Sequence, residues 1–292
     1  MQPWPEIGAQ IAAATGHMFA VTGVRAIGGG CINQTYRIDN GTQRYFVKLN
    51  DSGSLAMFEA EVAGLLEIRQ ANAIRVPVPI CHGENNQVAW LVLEYLELGG
   101  HGKASDLGEQ LAMLHRSAAK QFGWFRDNTL GQTPQINTQA SDWVDFWRVR
   151  RLQYQLDLAA TNGFHGKLQQ LGEQLLCDLD KLLPKSPQLP SLLHGDLWGG
   201  NYAYDQSGNP VLFDPAVYYG DREADIAMTE LFGGFSADFY AAYRYNYPLD
   251  SGYNTRKVVY NLYHILNHLN LFGSSYRHQA EHMMGWLLAE IR

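Results

Sequence analysis

The chain has 292 residues, a formal charge of −7, and 46% apolar against 17% charged residues, which suits a globular protein long enough for two lobes. An acidic chain with no basic run argues against nucleic acid as a partner, because that affinity comes largely from Lys and Arg on phosphates. No apolar run approaches the roughly 20 residues that span a bilayer. The start, MQPWPEIGAQ, has no leader pattern, and three scattered cysteines outline neither a disulfide framework nor a zinc knuckle, so a cytoplasmic protein without a membrane partner is expected.

In chain order, residues 5–19 read as a helix of small apolar residues. Strands follow at 21–27 and 32–38, split by Gly28-Gly29-Gly30-Cys31, and a third at 45–49 follows the turn at Asn40-Gly41. Phe58, Val62, Leu65 and Leu66 recur at helical spacing within 55–70. Val76-Pro77-Val78-Pro79 ends that helix. A hairpin of 80–82 and 88–95 turns at Glu84-Asn85-Asn86. The rest reads as helical, at 107–118, 143–158, 168–183, 238–246, 256–272 and 279–291. One strand-like interruption remains, 201–204 and 211–213 about a turn at 205–209. The predicted fold is α+β and two-lobed. Residues 1–96 form an antiparallel β-sheet lobe with one key helix and a hinge, and residues 97–292 a mainly helical lobe.

The strongest chemical signal is His194-Gly195-Asp196-Leu197-Trp198-Gly199-Gly200-Asn201, with Asp214 thirteen residues beyond Asn201. Phosphoryl transfer needs a base for the acceptor hydroxyl and acidic or amide oxygens for Mg²⁺, all converging on one spot. The order Asp, then Asn five residues on, then Asp beyond a small hairpin is that of a kinase catalytic loop. Asp196 fits the base, and Asn201 and Asp214 fit the metal ligands, the hairpin returning Asp214 beside Asn201. Asp, Gly and Asn are also ordinary turn residues, but the spacing and order occur together here. The expected fold is therefore protein-kinase-like.

Lys48, in the third strand, matches the kinase strand lysine that reaches the α/β-phosphates of ATP and pairs with a helix Glu. Glu59 and Glu61 compete for it. The apolar face of that helix centres nearer Glu61, which is preferred. Gly28, Gly29 and Gly30 would form a flap over the phosphates, with Asn33 adding a donor, although a glycine cluster by itself marks only a turn. No G-x-x-x-x-G-K-[ST] is present, so a P-loop is unsupported. Glu94, Tyr95 and Leu96 fit the hinge whose backbone meets the adenine. After Asp214, Asp225 is read as holding the catalytic loop by its backbone, and Asp221 as capping the following helix.

With these residues in place, the sequence resembles the fructosamine/ketosamine 3-kinase family, related to aminoglycoside and choline kinases. The likeness covers nearly the whole chain. It is carried by GGGCINQTYRI (28–38), FVKLN (46–50), MFEAEVAGL (57–65), LGEQLAMLH (107–115), HGDLWGGN (194–201), FDPAVYYGDREADIAMTELFGGF (213–235) and YNLYHILNHLNLFG (260–273). The Trp-Gly-Gly insert is the part that looks like ketosamine kinases in particular. The resemblance implies transfer of the ATP γ-phosphate, with Mg²⁺, to the 3-hydroxyl of a sugar joined to an amine by glycation. The unstable product then leaves, and the amine is repaired.

In that picture Trp198 stacks on the sugar or a cationic amine, or else packs between lobes. Asn267, His268 and Asn270 line the acceptor pocket, or form a satisfied buried polar cluster. Cys31 is the candidate for a redox-linked homodimer, the alternative being a monomer with an inert thiol. Two further readings stay open: a related kinase of aminoglycosides or choline, and a non-catalytic pseudokinase, against which the full set Lys48, Asp196, Asn201 and Asp214 stands.

Overall fold

The computed structural model describes residues 3–28, 32–184 and 189–291. The chain divides into two units, Met1–Lys103 with Ala203–Asp214, and Ala104–Tyr202 with Pro215–Arg292. The sequence put the division between residues 96 and 97. By contacts, the first unit runs on to Lys103 and includes a hairpin from far along the chain.

In the first unit, α1 (Trp4–Thr15) precedes a five-stranded antiparallel sheet. Its strands are β1 (Gly23–Ile27), β2 (Gln34–Asp39), β3 (Arg44–Asp51), β4 (Pro79–Glu84) and β5 (Val88–Glu94), in the order β1-β2-β3-β5-β4. The first helix stops short of the expected 19 because Gly16, at φ 73°, turns left-handed and returns its N–H to Ala12. Side chains alternate across a strand. Tyr45, Val47 and Leu49 of β3 and Trp90 and Val92 of β5 therefore share one core with Ile7 and Ile11 of α1. Burying each large apolar side chain is worth about 1.5–3 kcal/mol. A one-residue slip would expose the whole set, so the register is fixed. The same alternation turns Lys48 to the opposite face, where α2 (Leu55–Ala71) buries Phe58, Leu65 and Ile68.

The second unit is mainly helical: α3 (Ala104–Leu114), α4 (Trp143–Trp147), α5 (Tyr154–Thr161), α6 (Lys167–Cys177), α7 (Glu223–Leu231), α8 (Ala237–Asn246), α9 (Tyr253–Phe272) and α10 (Arg277–Glu290). Helices α3 and α8 approach closely because residue 108 is glycine; a Cβ there would lie 2.3 Å from the Phe239 carbonyl oxygen. The expected helix over 143–158 is interrupted by a π-helical stretch, Arg148–Gln153. Within it Arg151 is fully buried, bonded to the Ile136 carbonyl at 2.7 Å and Asn137 Oδ1 at 2.8 Å, with its guanidinium 4.2 Å from the Tyr218 ring centroid.

The sequence expected one strand-like interruption in this region, and the structure has more. A hairpin pairs β6 (Asn128–Leu130) with β7 (Thr133–Gln135), and β8 (Ser191–Leu193) pairs antiparallel with β11 (Tyr218–Gly220). Three-residue strands are too short to show a period, and the second pair is distant in sequence. The expected interruption itself is β9 (Tyr202–Tyr204) with β10 (Pro210–Leu212). No helix of the described residues is long and apolar enough to cross a membrane.

Candidate active site

In the first unit, Lys48 Nζ donates to Glu61 Oε1 at 2.5 Å and to Asp214 Oδ1 at 2.6 Å. Glu61, rather than Glu59, is thus the helix partner. The Lys48 side chain is 4% exposed and that of Asp214 50% exposed, so the ammonium is enclosed while half the metal-ligand candidate faces outward. Burial by itself would lower the Lys48 pKa, but the charges of Asp214 and then Glu61 outweigh it and raise it. Burial pushes the Glu61 carboxyl up, with Lys48 opposing. Asp214 sits at φ 57°, a left-handed backbone that is uncommon for a residue with a Cβ.

In the second unit, β8 leads into the loop that carries Asp196. Asp225 of α7 is buried and accepts the His194 N–H at 2.7 Å and the Gly195 N–H at 2.9 Å, as the sequence reading expected. Gly195 has φ 81°, and a Cβ on it would stand 2.1 Å from the Ala216 carbonyl oxygen, so no other residue fits. Beyond Asp196, Asn201 Nδ2 donates to the Asp196 carbonyl at 2.8 Å and to its Oδ2 at 3.3 Å. The amide nitrogen is committed to the loop, which leaves Oδ1 as the opposite, ligand-type end. An amide oxygen and a carboxylate are the hard donors that Mg²⁺ takes, so Asn201 and Asp214 fit the ion in donor chemistry.

Behind the loop lies a network the sequence reading missed. His115, fully buried just past α3, places Nε2 3.2 Å from Asp225 Oδ2 and Nδ1 2.7 Å from the Tyr243 hydroxyl. Burial lowers the His115 pKa despite Asp225, so the ring is neutral. Tyr243 is raised by burial and keeps its proton, which it donates to Nδ1, leaving the ring proton on Nε2 facing Asp225. Arg222 Nη1 donates to the Tyr243 oxygen at 3.3 Å. Burial pushes the Asp225 carboxyl up, but His115, His194 and the Gly195 amide outweigh it and hold it low, hence ionised. In the sequence His115 stood only as the last residue of LGEQLAMLH (107–115), continuing the apolar face of Leu107, Leu111 and Leu114.

Asp221 accepts the Glu223 N–H at 3.0 Å and the Tyr260 hydroxyl at 2.6 Å; the N-cap position of α7 is Arg222, which makes no side-chain capping bond, so Asp221 stands one residue before the cap expected of it.

The profile of the fructosamine kinase family matches residues 3–290. The chain belongs to the fructosamine kinase family. It is 47% identical to a probable ketoamine kinase of Synechocystis sp., over 97% of this chain and 96% of that one. It is 43% identical to a chloroplastic protein-ribulosamine 3-kinase of Arabidopsis thaliana, over 89% and 81%. Among solved structures, a "putative fructosamine-3-kinase" of Haemophilus somnus superposes with TM-score 0.90 at 29% identity, covering 98% and 97% of the two chains. An aminoglycoside phosphotransferase in ternary complex with ADP and hygromycin B matches with TM-score 0.65 at 15% identity, over 98% of each chain, a likeness of fold alone. The fold is thus protein-kinase-like, as the catalytic-loop pattern implied.

The other expected positions of this fructosamine kinase chain divide as follows. Gly29, Gly30 and Cys31 lie outside the described residues. Gly28 is exposed, and a Cβ there would meet open space. Asn33 Oδ1 accepts from Asn50 Nδ2 at 2.7 Å, which ties the segment before β2 to β3. Glu94 ends β5 with its N–H already bonded to the Val78 carbonyl at 2.8 Å, and half-buried Tyr95 and Leu96 follow it.

Trp198 is 41% exposed and lies over Gly200, whose Cβ would stand 2.4–2.8 Å from the indole. Asn267 and Asn270 both turn to Gln155. Asn267 Oδ1 accepts from Gln155 Nε2 at 3.2 Å, and Asn270 Nδ2 donates to Gln155 Oε1 at 2.8 Å. Asn267 is buried and Asn270 half-buried. His268 is half-buried, its ring 4.9 Å from Phe232 and 5.1 Å from Tyr276 between centroids.

Proposed function

We propose that this chain is a ketosamine 3-kinase, transferring the γ-phosphate of ATP to the 3-hydroxyl of sugar adducts of amines, a step in deglycation. The observation that carries the reading is the Lys48–Glu61–Asp214 ion triad, in a chain that aligns along nearly its whole length with ketoamine and ribulosamine kinases. Asp196 accepts the proton of the acceptor hydroxyl as its oxygen attacks the γ-phosphorus and ADP leaves. Asn201 holds the Asp196 backbone and side chain; its Oδ1 and the Asp214 carboxylate are each the kind of oxygen donor that would take Mg²⁺. Bound Mg²⁺ supplies charge neutralisation on the phosphates. Lys48, kept cationic by two carboxylates, binds the α/β-phosphates, and the hinge at 94–96 receives the adenine. Trp198 offers an aromatic face to the sugar or its amine.

The test is turnover of ATP with fructosamine, ribulosamine and erythrulosamine adducts of a lysine derivative, beside the Asp196→Asn variant. Wild type is expected to phosphorylate at least one class. The variant should lose about 10²–10⁴-fold in kcat while still binding ATP. Near-normal turnover by Asp196→Asn would remove the base assignment. Use of aminoglycosides or choline in place of all three adducts would redirect the substrate class.

A further inference from the structure

The hairpin that ends in Asp214 is bound on both edges by the chain around the hinge, all within the first unit. On one edge, Val211 bridges in parallel to Arg75, and the Leu212 N–H bonds the Arg75 carbonyl at 2.9 Å. On the other, Leu98 bridges antiparallel to Asp205, and the amides of Gly99 and Gly100 bond the Tyr204 carbonyl at 3.0 and 3.2 Å. That approach is possible only for glycine. A Cβ on Gly100 would lie 1.9 Å from the Asp205 carbonyl oxygen, and one on Gly102 would lie 2.0 Å from the Tyr204 ring and 2.4 Å from the Gly208 carbonyl.

One side chain ties these pieces together. Arg75 Nη1 donates to Asp205 Oδ2 at 2.8 Å, and Nη2 to Glu94 Oε1 at 3.0 Å. Asp205 is itself rigid, its Oδ1 accepting the N–H groups of Ser207 and Asn209 at 2.9 Å each. The other Glu94 oxygen accepts the Val78 N–H at 3.3 Å. The planar guanidinium fork therefore spans the end of β5 and the turn of the hairpin at once, a geometry that a single ammonium does not reproduce.

We propose that Arg75 is a positioning residue. By clamping Glu94 at the hinge to Asp205 in the hairpin, it sets where the hairpin ends, and so where Asp214 meets Lys48 and the metal. This rests on the kinase reading for its consequence, though not for the clamp. Both ion pairs are partly exposed, so each contributes a factor of up to about 5. Losing both loosens the hairpin by up to about 25-fold.

Two measurements on the full chain decide it, with Arg75→Gln and Arg75→Lys. The first is hydrogen exchange without nucleotide. In Arg75→Gln the amides of 203–213 are expected to exchange about 5- to 25-fold faster, with those of 104–202 unchanged and Arg75→Lys in between. Equal exchange in all three proteins overturns the clamp. The second is steady-state turnover. The Mg²⁺ concentration for half-maximal rate is expected to rise several-fold in Arg75→Gln, with the acceptor KM unchanged and partial recovery in Arg75→Lys. A uniform fall in rate with a lower Tm and unaltered Mg²⁺ dependence means a merely structural role and overturns the positioning. Should wild type phosphorylate no ketosamine at all, the functional reading falls while the exchange result still decides the clamp.

Discussion

Replacing Asp225 by Asn removes one charge and one acceptor while preserving shape. Three donors converge on this carboxylate: Oδ2 takes the His194 N–H and His115 Nε2, and Oδ1 takes the Gly195 N–H. If the Asn oxygen keeps the two-donor side, its NH₂ faces the Gly195 N–H, and a buried amide loses its partner at a cost of about 1–3 kcal/mol. The two surviving bonds fall from charge-assisted to neutral, about 1 kcal/mol each. The sum is about 3–5 kcal/mol, a large part of an ordinary stability of about 5–15 kcal/mol. At about 2–4 °C per kcal/mol the apparent Tm should drop by roughly 10 °C. The donor-against-donor contact also displaces Gly195, next to Asp196, the proposed base. At a temperature where circular dichroism shows the variant folded, kcat should therefore fall by about 10- to 100-fold. A Tm within about 2 °C of wild type, together with normal kcat, would refute Asp225 as the anchor of the loop.

Burial, with Glu223 adding to it, pushes the Asp221 carboxyl up from 3.8 to about 6. The native state then holds a proton that the unfolded chain releases, so this group makes stability fall as pH rises from about 4 to 6, by about 3 kcal/mol in all. Urea unfolding of wild type and Asp221→Asn at pH 4 and pH 7 should show their stability difference changing by that amount in favour of the variant at the higher pH; a constant difference rejects it. Gly200→Ala should push the Trp198 indole off its seat, since the new Cβ would stand 2.4–2.8 Å from the ring. The acceptor KM is expected to rise about 2- to 10-fold with the ATP KM unaltered. A shifted tryptophan emission with no change in acceptor KM would dissociate Trp198 from the substrate.

The sequence by itself determined the order of the main helices and sheet strands, the two-lobed class and the pairing of Lys48 with Glu61. Those signals are local: alternation in β3, the 3.6-residue period that chose Glu61 over Glu59, and the fixed spacing from Asp196 to Asn201. Tertiary structure alone decided what holds these groups. The His115–Tyr243–Arg222 support of Asp225 gathers side chains from just past α3, from α8 and from just before α7, and no window of sequence contains such a pairing. The β8–β11 ladder was hidden because three-residue strands carry no period. Asn267 and Asn270 stood at one helix face for any reader of the sequence. That the face meets Gln155 is a matter of helix packing. The hairpin of Asp214 lies in the sequence among helices, yet belongs with the sheet unit, because glycines at 100 and 102 let two backbones approach where any Cβ would collide.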